Sequence, residues 1–411
     1  MASLIPFLGL LLSIAVLPAL APRFWHRHMT LVAAFWTLAL LLPRAWFQGD
    51  ALHAAWHVLL LDYLPFVTLL LALYTVGGGI LLEGGPWGTP AGNTLLLAIG
   101  TLLAGVVGTT GVSMVLIHPF LRANAHRRRR VHLVVFFIVL CANAGGITTP
   151  LGNPPLYLGF LHGVPFIWPL RALTVPLLIV AVPLLGVFWV LDAKLAGAPA
   201  PRPRPRRLRL RGGWNVLMLA LIVAAVPGQG FWRPGDVSLF GVTTGLERLA
   251  GVAIFLAVTA ASLLTTPRAV RDGNLFTWSP MLEVGVLFAA LFVTVEPASG
   301  VLEAASHRFG QPGPLVSFWA TGVLSAVLDS APAYLVFFGL SGGEPGVTLQ
   351  AISAGAVFFG ALTYVGNAPN LMVRAIAAHR GIRMPGFFGY MGWASLMLLP
   401  GLVALSLLFF R

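Results

Sequence analysis

Two copies of one short pattern contain the residues with the most informative chemistry. The stretches Gly146–Pro155 (GITTPLGNPP) and Gly360–Pro369 (GALTYVGNAP) share the pattern G-x-x-T-x-[LV]-G-N-x-P. A helix must open at each copy, because proline removes a backbone donor and clashes with the preceding turn, while glycine weakens the helix around it. The opened backbone and the threonine and asparagine side chains supply oxygen ligands, which suit Na⁺ or another hard cation.

An interrupted apolar segment precedes each copy. The segments Asn93–Leu121 and Pro314–Leu340 are broken at Gly108–Gly111 (GTTG) and Asp329–Pro332 (DSAP). Each arm of about 14 residues rises about 21 Å, which reaches the middle of a bilayer but does not cross it. We therefore predict two helical hairpins whose tips meet the two opened helices. The candidate ligands for an ion or a substrate are Thr109, Thr110, Asn143, Thr149, Asn153, Asp329, Ser330, Thr363 and Asn367, of which Asp329, Asn153 and Asn367 are the candidates for a Na⁺ site.

Asp329 stands out because it places a carboxylate at a hairpin tip within an otherwise uncharged segment. A proton and a cation would compete for such a carboxylate, which is the simplest basis for an exchanger. Asp-Ser-Ala-Pro is also a plausible helix start, so Asp329 could serve as an N-cap, and the two roles are compatible. The glycines and threonines of the tips could instead serve close helix packing, but packing needs no matched helix breaks.

The composition indicates a membrane protein and excludes several other classes. Of 411 residues, 58% are hydrophobic and 9% are charged, and the mean hydropathy is +0.90. A formal charge of +13 does not indicate a nucleic-acid partner, because the basic residues lie in short segments between apolar runs. The single cysteine, Cys141, excludes a disulfide framework and a cysteine-based metal site.

The known motifs of enzymes and ATP-driven pumps do not occur in the sequence. It contains no HExxH, paired-carboxylate or P-loop pattern, so we predict neither an enzyme nor a cofactor. The energy must then come from an ion gradient, with Na⁺, H⁺ or both as the coupling ion, or from a partner subunit. A channel needs a continuous pore with a filter, whereas two occluding hairpins with matched breaks suit alternating access. We therefore expect a secondary transporter.

Ten apolar runs are predicted to cross the membrane. The first, Leu4 to Ala21, lacks a basic flank and a clear cleavage site, so it is interpreted as a span rather than a signal peptide. The runs begin near Leu4, Thr30, Tyr63, Val131, Phe166, Trp214, Leu246, Ser279, Val347 and Phe387.

The distribution of basic residues supports reading both interrupted segments as re-entrant hairpins. That reading places 19 of the 25 basic residues on one side, including Arg127–Arg130. Cytoplasmic loops are enriched in Lys and Arg, so this side is predicted to be cytoplasmic and both termini to lie outside. The two copies then run in opposite directions, which is the inverted-repeat plan of secondary transporters. The Pro- and Arg-rich stretch Pro199–Arg211 is predicted to be a cytoplasmic linker, and it could also bind anionic lipid.

The predicted fold class is an all-α polytopic membrane protein with about ten transmembrane helices and two re-entrant hairpins in two inverted-topology repeats. The predicted parts are scaffold helices at 1–59, a first repeat at 60–192 with its hairpin at 93–121 and broken helix at 131–162, a basic linker at 193–213, connecting helices at 214–278, and a second repeat at 279–411 with its hairpin at 314–340 and broken helix at 347–378.

From about Leu60 onward the chain resembles the ion transporter superfamily. The likeness is strongest to its citrate transporter and sodium:proton antiporter branch, through Asn143–Pro155 (NAGGITTPLGNPP), Val327–Phe338 (VLDSAPAYLVFF) and Leu362–Leu371 (LTYVGNAPNL). The resemblance implies a homodimer in a bacterial-type inner membrane, with outer helices as scaffold and with hairpins and broken helices as an elevator-like moving part. Membrane lipid and a small ion or a carboxylate are the partners it implies, without nucleic acid.

The hairpin tips depart from the dicarboxylate members of that superfamily. Those members carry Ser-Asn-Thr at the tips, whereas this chain has Gly108–Thr110 and Asp329–Ala331. A fixed carboxylate at the tip would repel an anionic substrate unless it were protonated or cation-bound. We therefore expect a Na⁺/H⁺ antiporter, with Na⁺- or H⁺-coupled citrate or dicarboxylate transport as the alternative.

Overall fold

Helices make up most of the protein. The computed structural model describes residues 4–47, 49–85, 88–196, 207–309 and 312–411. Nine of the described helices are long and apolar enough to cross a membrane, which confirms the predicted all-α polytopic class. The helical segments predicted near Leu4 and Val347 fall below spanning length, whereas the arm Pro90–Val107 of the first predicted hairpin reaches it.

The helices follow one another with short connections. They are α1 Ile5–Leu20, α2 Pro22–Phe47, α3 Ala51–Val58, α4 Leu64–Gly78, α5 Pro90–Val107, α6 Thr109–Ala123, α7 Val131–Leu140, α8 Pro154–Leu161, α9 Trp168–Leu195, α10 Trp214–Phe231, α11 Leu246–Thr265, α12 Arg268–Gly273, α13 Ser279–Phe309, α14 Pro314–Leu328, α15 Ser330–Phe338, α16 Val347–Phe359, α17 Ala368–His379 and α18 Phe387–Phe409. A π-helical turn at Leu59–Tyr63 joins α3 to α4, and 3₁₀ turns occupy Ala144–Thr148, Gly339–Ser341 and Gly360–Leu362.

Two short antiparallel ribbons lie in the loops. Strand β1 (Leu81–Glu83) pairs with β2 (Arg209–Arg211), and β3 (Asp236–Leu239) pairs with β4 (Val242–Gly245). Strands of three or four residues are too short to show an alternating pattern, so the sequence did not predict them. Strand β2 lies in the predicted basic linker, and residues 197–206 of that linker lie outside the described residues.

A buried polar network closes the base of the first hairpin, α5–α6. Asn93 in α5 and Asn124 after α6 exchange two side-chain hydrogen bonds of 2.9 Å. The outer ends of the two hairpin arms therefore lie side by side. Asp192, in the last turn of α9, accepts hydrogen bonds from Asn93 at 2.9 Å and His132 at 2.8 Å and pairs with Arg127. The carboxylate is fully buried, and these partners replace the water it loses.

The second hairpin, α14–α15, opens toward the other end of α9. The Phe338 ring, in the last turn of α15, lies 5.6 Å from that of His162, shortly before α9 begins. Gln350, in the first turn of α16, donates a hydrogen bond of 2.5 Å to the Ala172 carbonyl near the start of α9. Since Asp192 lies near the end of α9, the two hairpins have opposite orientations, as the inverted arrangement requires.

The loops lie at two ends of the molecule, and the contacts between them are those expected if both hairpins are re-entrant. At the end that carries most arginines, Arg122 donates to the Leu82 carbonyl and Arg130 donates to that of Arg380 at 3.5 Å. At the opposite end Arg44 forms ion pairs of 3.0 Å with Asp50 and 2.6 Å with Glu296. If either hairpin were a full crossing, segments that here touch would lie on opposite sides.

A buried arginine joins two helix ends near the arginine-rich end. Arg271, in α12, donates to the carbonyls of Thr75 at 3.0 Å and Ser262 at 2.9 Å, in the last turns of α4 and α11. A cation at helix C-termini is favoured by the backbone carbonyls exposed there. Burial lowers the pKa of Arg271, because its charged form loses hydration.

The centre of the molecule is the first opened helix. Of the span Val131–Thr148, 89% is buried inside the protein, against 11% of the α2 span. A helix buried on all sides needs no polar face, which explains the uninterrupted apolar run Leu133–Leu140 in α7. Helix α2 therefore belongs to the outer shell, and α7 belongs to the core around which the hairpins pack.

Candidate functional site

Both hairpins turn at a single residue with an unusual backbone. Gly108 has φ 80° and ψ 148°, and Asp329 has φ 109° and ψ 148°. Glycine adopts this region freely, whereas a residue with a side chain is strained there by about 1–3 kcal/mol. Oδ1 of Asp329 accepts a hydrogen bond of 3.1 Å from the Ala331 backbone N–H, so the side chain caps α15.

Each tip is tied to the opened helix of its own repeat by equivalent hydrogen bonds. The Thr109 N–H donates to the Gly152 carbonyl at 3.0 Å, and the Ser330 N–H donates to the Gly366 carbonyl at 3.1 Å. The openings themselves are compact, because a Cβ on Gly146 would lie 2.5 Å from the Gly152 carbonyl oxygen. The glycines of the repeated pattern are thus required by close backbone contact.

The repeated threonines serve this framework. The Thr149 hydroxyl donates to the Gly105 carbonyl in α5, and the Thr363 hydroxyl donates to the Ala326 carbonyl in α14 at 2.6 Å. Each bond links an opening to the first arm of its hairpin. Thr149, Thr363 and the backbone of Ser330 therefore position the tips.

A cavity between the tips brings the two repeats together. It is lined by Thr110 and Pro154 from the first repeat and by Asp329 and Asn367 from the second. Its volume is about 30 Å³, which is enough for a water or a bare ion but too small for a citrate molecule. The remaining wall consists of residues of α4, α13 and the start of α17, namely Leu70, Tyr74, Pro280, Met281, Val284, Phe288, Ala368, Pro369 and Met372.

A smaller cavity of about 10 Å³ lies against the first tip. It is lined by Thr109, Thr110 and Asn153, and Thr110 and Pro154 border both cavities. Both amide atoms of Asn153 are buried and make no hydrogen bond with any described residue. Buried polar groups are nearly always paired, so this amide is available to a ligand.

A cluster of three buried amides orients Asn367. The Asn367 amide nitrogen donates to the Asn143 side chain at 3.1 Å and to the Ala142 carbonyl at 3.0 Å. Asn143 in turn donates to the Asn370 side chain at 2.7 Å. The donors of Asn367 are thereby occupied, and its buried Oδ1 has no partner within the described chain.

The structure thus sorts the predicted residues into two groups. Those that line the cavities are Thr109, Thr110, Asn153, Asp329 and Asn367, and those that hold the framework are Asn143, Thr149, Ser330 and Thr363. Sequence reasoning missed Asn370 and Tyr74. A polar residue three positions after Asn367 in an apolar helix was a usable signal for Asn370, since it lies one turn further along.

The charge of the central cavity comes from a single carboxylate. Asp329 is 8% exposed, and no Lys or Arg is among the residues that line the cavity. Within the described ranges, His, Cys, Asp and Glu nowhere form a group of three that could hold a metal ion. A cation here would be bound by one carboxylate together with neutral amide, hydroxyl and carbonyl oxygens, which is a ligand set suited to Na⁺.

Comparison with known proteins agrees with this arrangement. The family described as "Putative citrate transport" matches residues 1–410, nearly the whole chain. No curated protein matches the chain. With paired hairpins, opened helices and a full-length match, the chain belongs to this citrate transport family and is an integral membrane transporter.

Proposed function

We propose that the protein exchanges Na⁺ for H⁺ at the Asp329 carboxylate by alternating access. The observation that carries this proposal is the central cavity, which joins Asp329 with Asn367 and Thr110 and is lined by no cationic side chain. A carboxylate that binds either a cation or a proton, but not both, couples the two movements. The cavity volume suits an ion and not a polycarboxylate.

The contacts around the two cavities support alternating access by movement of the hairpin tips. Each tip rests on its own opened helix through a backbone hydrogen bond, so a tip and its helix can move together as one body. The walls from α4 and α13 contribute mainly apolar side chains such as Leu70 and Val284. A polar site moving past an apolar wall is what an elevator-like transporter requires.

A second candidate function is cation-coupled citrate transport, and the family match favours it. In that case the bound cation would neutralise Asp329, and the tips would separate to admit the anion. The same carboxylate is then needed for both functions, but the transported solute differs.

Transport into liposomes separates these functions. Purified wild type is reconstituted with a pH dye inside, and internal pH is followed after addition of Na⁺ and then of citrate. We expect Na⁺ to drive proton movement, Asp329→Asn to reduce it to background, and Asp236→Asn, at an exposed strand position, to leave it unchanged. A wild type that responds to citrate and not to Na⁺ would reject the exchanger and establish the second candidate.

We further propose, from the family resemblance and the distribution of arginines, a homodimer in a bacterial-type inner membrane with both termini outside. The single native cysteine, Cys141, is fully buried. A cysteine introduced at residue 411 can therefore be labelled selectively from one side of intact cells. Labelling only after the cells are permeabilised would refute the proposed orientation.

A further inference from the structure

A histidine and an aspartate meet where the first opened helix ends. His162 directly follows α8, and Asp62 lies in the π-helical turn Leu59–Tyr63. The Nε2 atom of His162 lies 3.6 Å from Oδ1 of Asp62. The two side chains are 37% and 19% exposed, so the pair can exchange protons with the solution. Neither residue lines the cavities at the hairpin tips.

The hydrogen bonding of His162 indicates which ring nitrogen carries the proton of the neutral side chain. Nδ1 lies 2.9 Å from the Leu158 carbonyl oxygen. Because a carbonyl oxygen only accepts, Nδ1 is the donor in the neutral ring and Nε2 is left as an acceptor. An ionised carboxylate is also an acceptor only. The contact between Nε2 and Asp62 is therefore attractive only while the pair holds one further proton, on the ring or on the carboxyl group.

The pair connects two parts of the protein that move past each other in the proposed alternating access. Asp62 belongs to the wall formed by α4 and α13, since the next residue, Tyr63, donates a hydrogen bond of 2.9 Å to the Gly285 carbonyl in α13. His162 belongs to the hairpins and opened helices, because its ring lies 5.6 Å from that of Phe338 in α15. A bond between the two side chains resists movement of α8 away from the wall.

An arginine from a third helix also contacts the end of α8. Arg248, in the first turn of α11, donates a hydrogen bond of 2.6 Å to the Leu161 carbonyl. Arg248 and His57 are the other groups whose charge acts on Asp62. A guanidinium group stays charged at any ordinary pH, whereas imidazole changes charge near neutral pH. His57 precedes Asp62 in the same helical segment, so His162 is the partner through which pH acts on the contact between α8 and the wall.

Helix capping accounts for only half of this arrangement. A histidine at the C-terminus of a helix is favourable, and the bond from Nδ1 to the Leu158 carbonyl is of that kind. Capping does not require an aspartate opposite Nε2. The π-helical turn that carries Asp62 is a second indication, since single π-helical turns are rare and are frequent at functional sites.

We infer that Asp62 and His162 form a proton-binding site, separate from Asp329, that clamps α8 to the wall while it holds its proton and releases α8 when the proton leaves. Because attraction needs the proton, the clamp is closed at lower pH and opens as pH rises through the range in which imidazole loses its charge. His162 lies nine residues after Asn153, or about 14 Å along a helix. The inference rests on the proposed alternating access but not on which ion is exchanged at Asp329.

The distance between two spin labels measures the clamp without a transport assay. One label is attached at Leu52→Cys in α3, beside the wall, and the other at Glu344→Cys, between α15 and α16. Both positions are exposed, and the native Cys141 is buried. Purified protein in nanodiscs is measured by double electron–electron resonance at about pH 6 and about pH 8.5, on either side of the usual imidazole range. We expect the population with the separation seen in this structure to fall about two- to fivefold at the higher pH, as for the loss of a partly exposed ion pair.

Variants assign this change to the pair. Asp62→Ala, His162→Ala and the double variant should all show the reduced population at both pH values, because either change removes the same contact. His379→Ala, at an exposed histidine near the opposite end, and Asp329→Asn should keep the response of wild type. A wild type that does not respond to pH, an equal response in Asp62→Ala, or a response lost in Asp329→Asn would overturn the inference. No solute gradient is used, so a protein that fails to exchange Na⁺ for H⁺ still gives one of these outcomes.

Discussion

Three neutral substitutions of Asp329 separate the backbone role of this residue from its chemistry. Asp329→Asn keeps an oxygen that can cap α15, Asp329→Ala removes the cap, and Asp329→Gly removes both the cap and the strain of φ 109°. All three remove the carboxylate, so the cost of burying that charge cancels when they are compared with one another. The order of stability expected is Gly above Asn above Ala.

The size of the difference follows from the local structure. A positive φ of this kind costs about 1–3 kcal/mol for alanine and nothing for glycine. Loss of the cap costs about 1 kcal/mol in alanine and a few tenths in glycine, and the flexible unfolded chain of glycine offsets about 0.4–1 kcal/mol. The glycine variant should therefore be more stable than the alanine variant by about 2 kcal/mol, with asparagine between them because it tolerates positive φ better than alanine.

Unfolding of the purified variants in detergent micelles, followed by circular dichroism, measures this order. Transport is measured in the same preparations by the Na⁺-driven change in internal pH. We expect all three variants to be inactive, including a glycine variant that is as stable as wild type. An alanine variant at least as stable as glycine would refute the strain argument, and an active glycine variant would refute the role of the carboxylate.

Three further predictions concern the framework. Arg271→Gln should lower the free energy of unfolding by about 3 kcal/mol, because it loses two charged hydrogen bonds to helix carbonyls; exposed Arg268→Gln, the control, should change it by less than about 0.5 kcal/mol. Asp192→Asn should cost about 3–5 kcal/mol by leaving its buried arginine partner uncompensated, and removing that partner as well should recover part of the loss. Arg44 lowers the pKa of the exposed Asp50 carboxyl below its usual 3.8, so the pair stabilises the fold above that pH and the effect disappears as pH falls through the lowered pKa. The difference in melting temperature between wild type and Asp50→Asn should accordingly be present at neutral pH and absent in strong acid; an equal difference at both would contradict this assignment.

The helical framework was predictable because its signals are long and repeated. Apolar runs of about 20 residues define spans, and the doubled G-x-x-T-x-[LV]-G-N-x-P pattern marks the two openings. The tip residues were found for the same reason, since a turn in mid-membrane needs a residue that interrupts the helix. The positions of Thr110, Asp329 and Asn367 around one cavity follow from the inverted repeat once both tips are located.

The remaining features depend on contacts that no local pattern encodes. Asn143 was predicted as a ligand, yet its side chain accepts a hydrogen bond from Asn367 and donates one to Asn370, so it serves the framework. The threonine of each copy was likewise expected at the site, but its hydroxyl bonds to the neighbouring hairpin arm. An opened helix has no regular periodicity. The sequence therefore does not show whether a polar side chain there points into the cavity or toward the neighbouring helices.

The two repeats duplicate the backbone of the site but not its charge. Gly108 and Asp329 share one conformation, and both tips are held by the same backbone bond to an opened helix. An inverted duplication of this kind gives one chain two equivalent arrangements, in which the repeats exchange roles. The carboxylate, however, belongs to one tip only, while the other tip offers neutral oxygens from Thr109, Thr110 and Asn153. With a single carboxylate in the cavity, the proposed cycle carries one Na⁺ in one direction and one proton in the other, and it moves no net charge. A second cation bound at the neutral tip would make transport depend on membrane voltage, so the voltage response of reconstituted protein tells whether one tip or both bind ions.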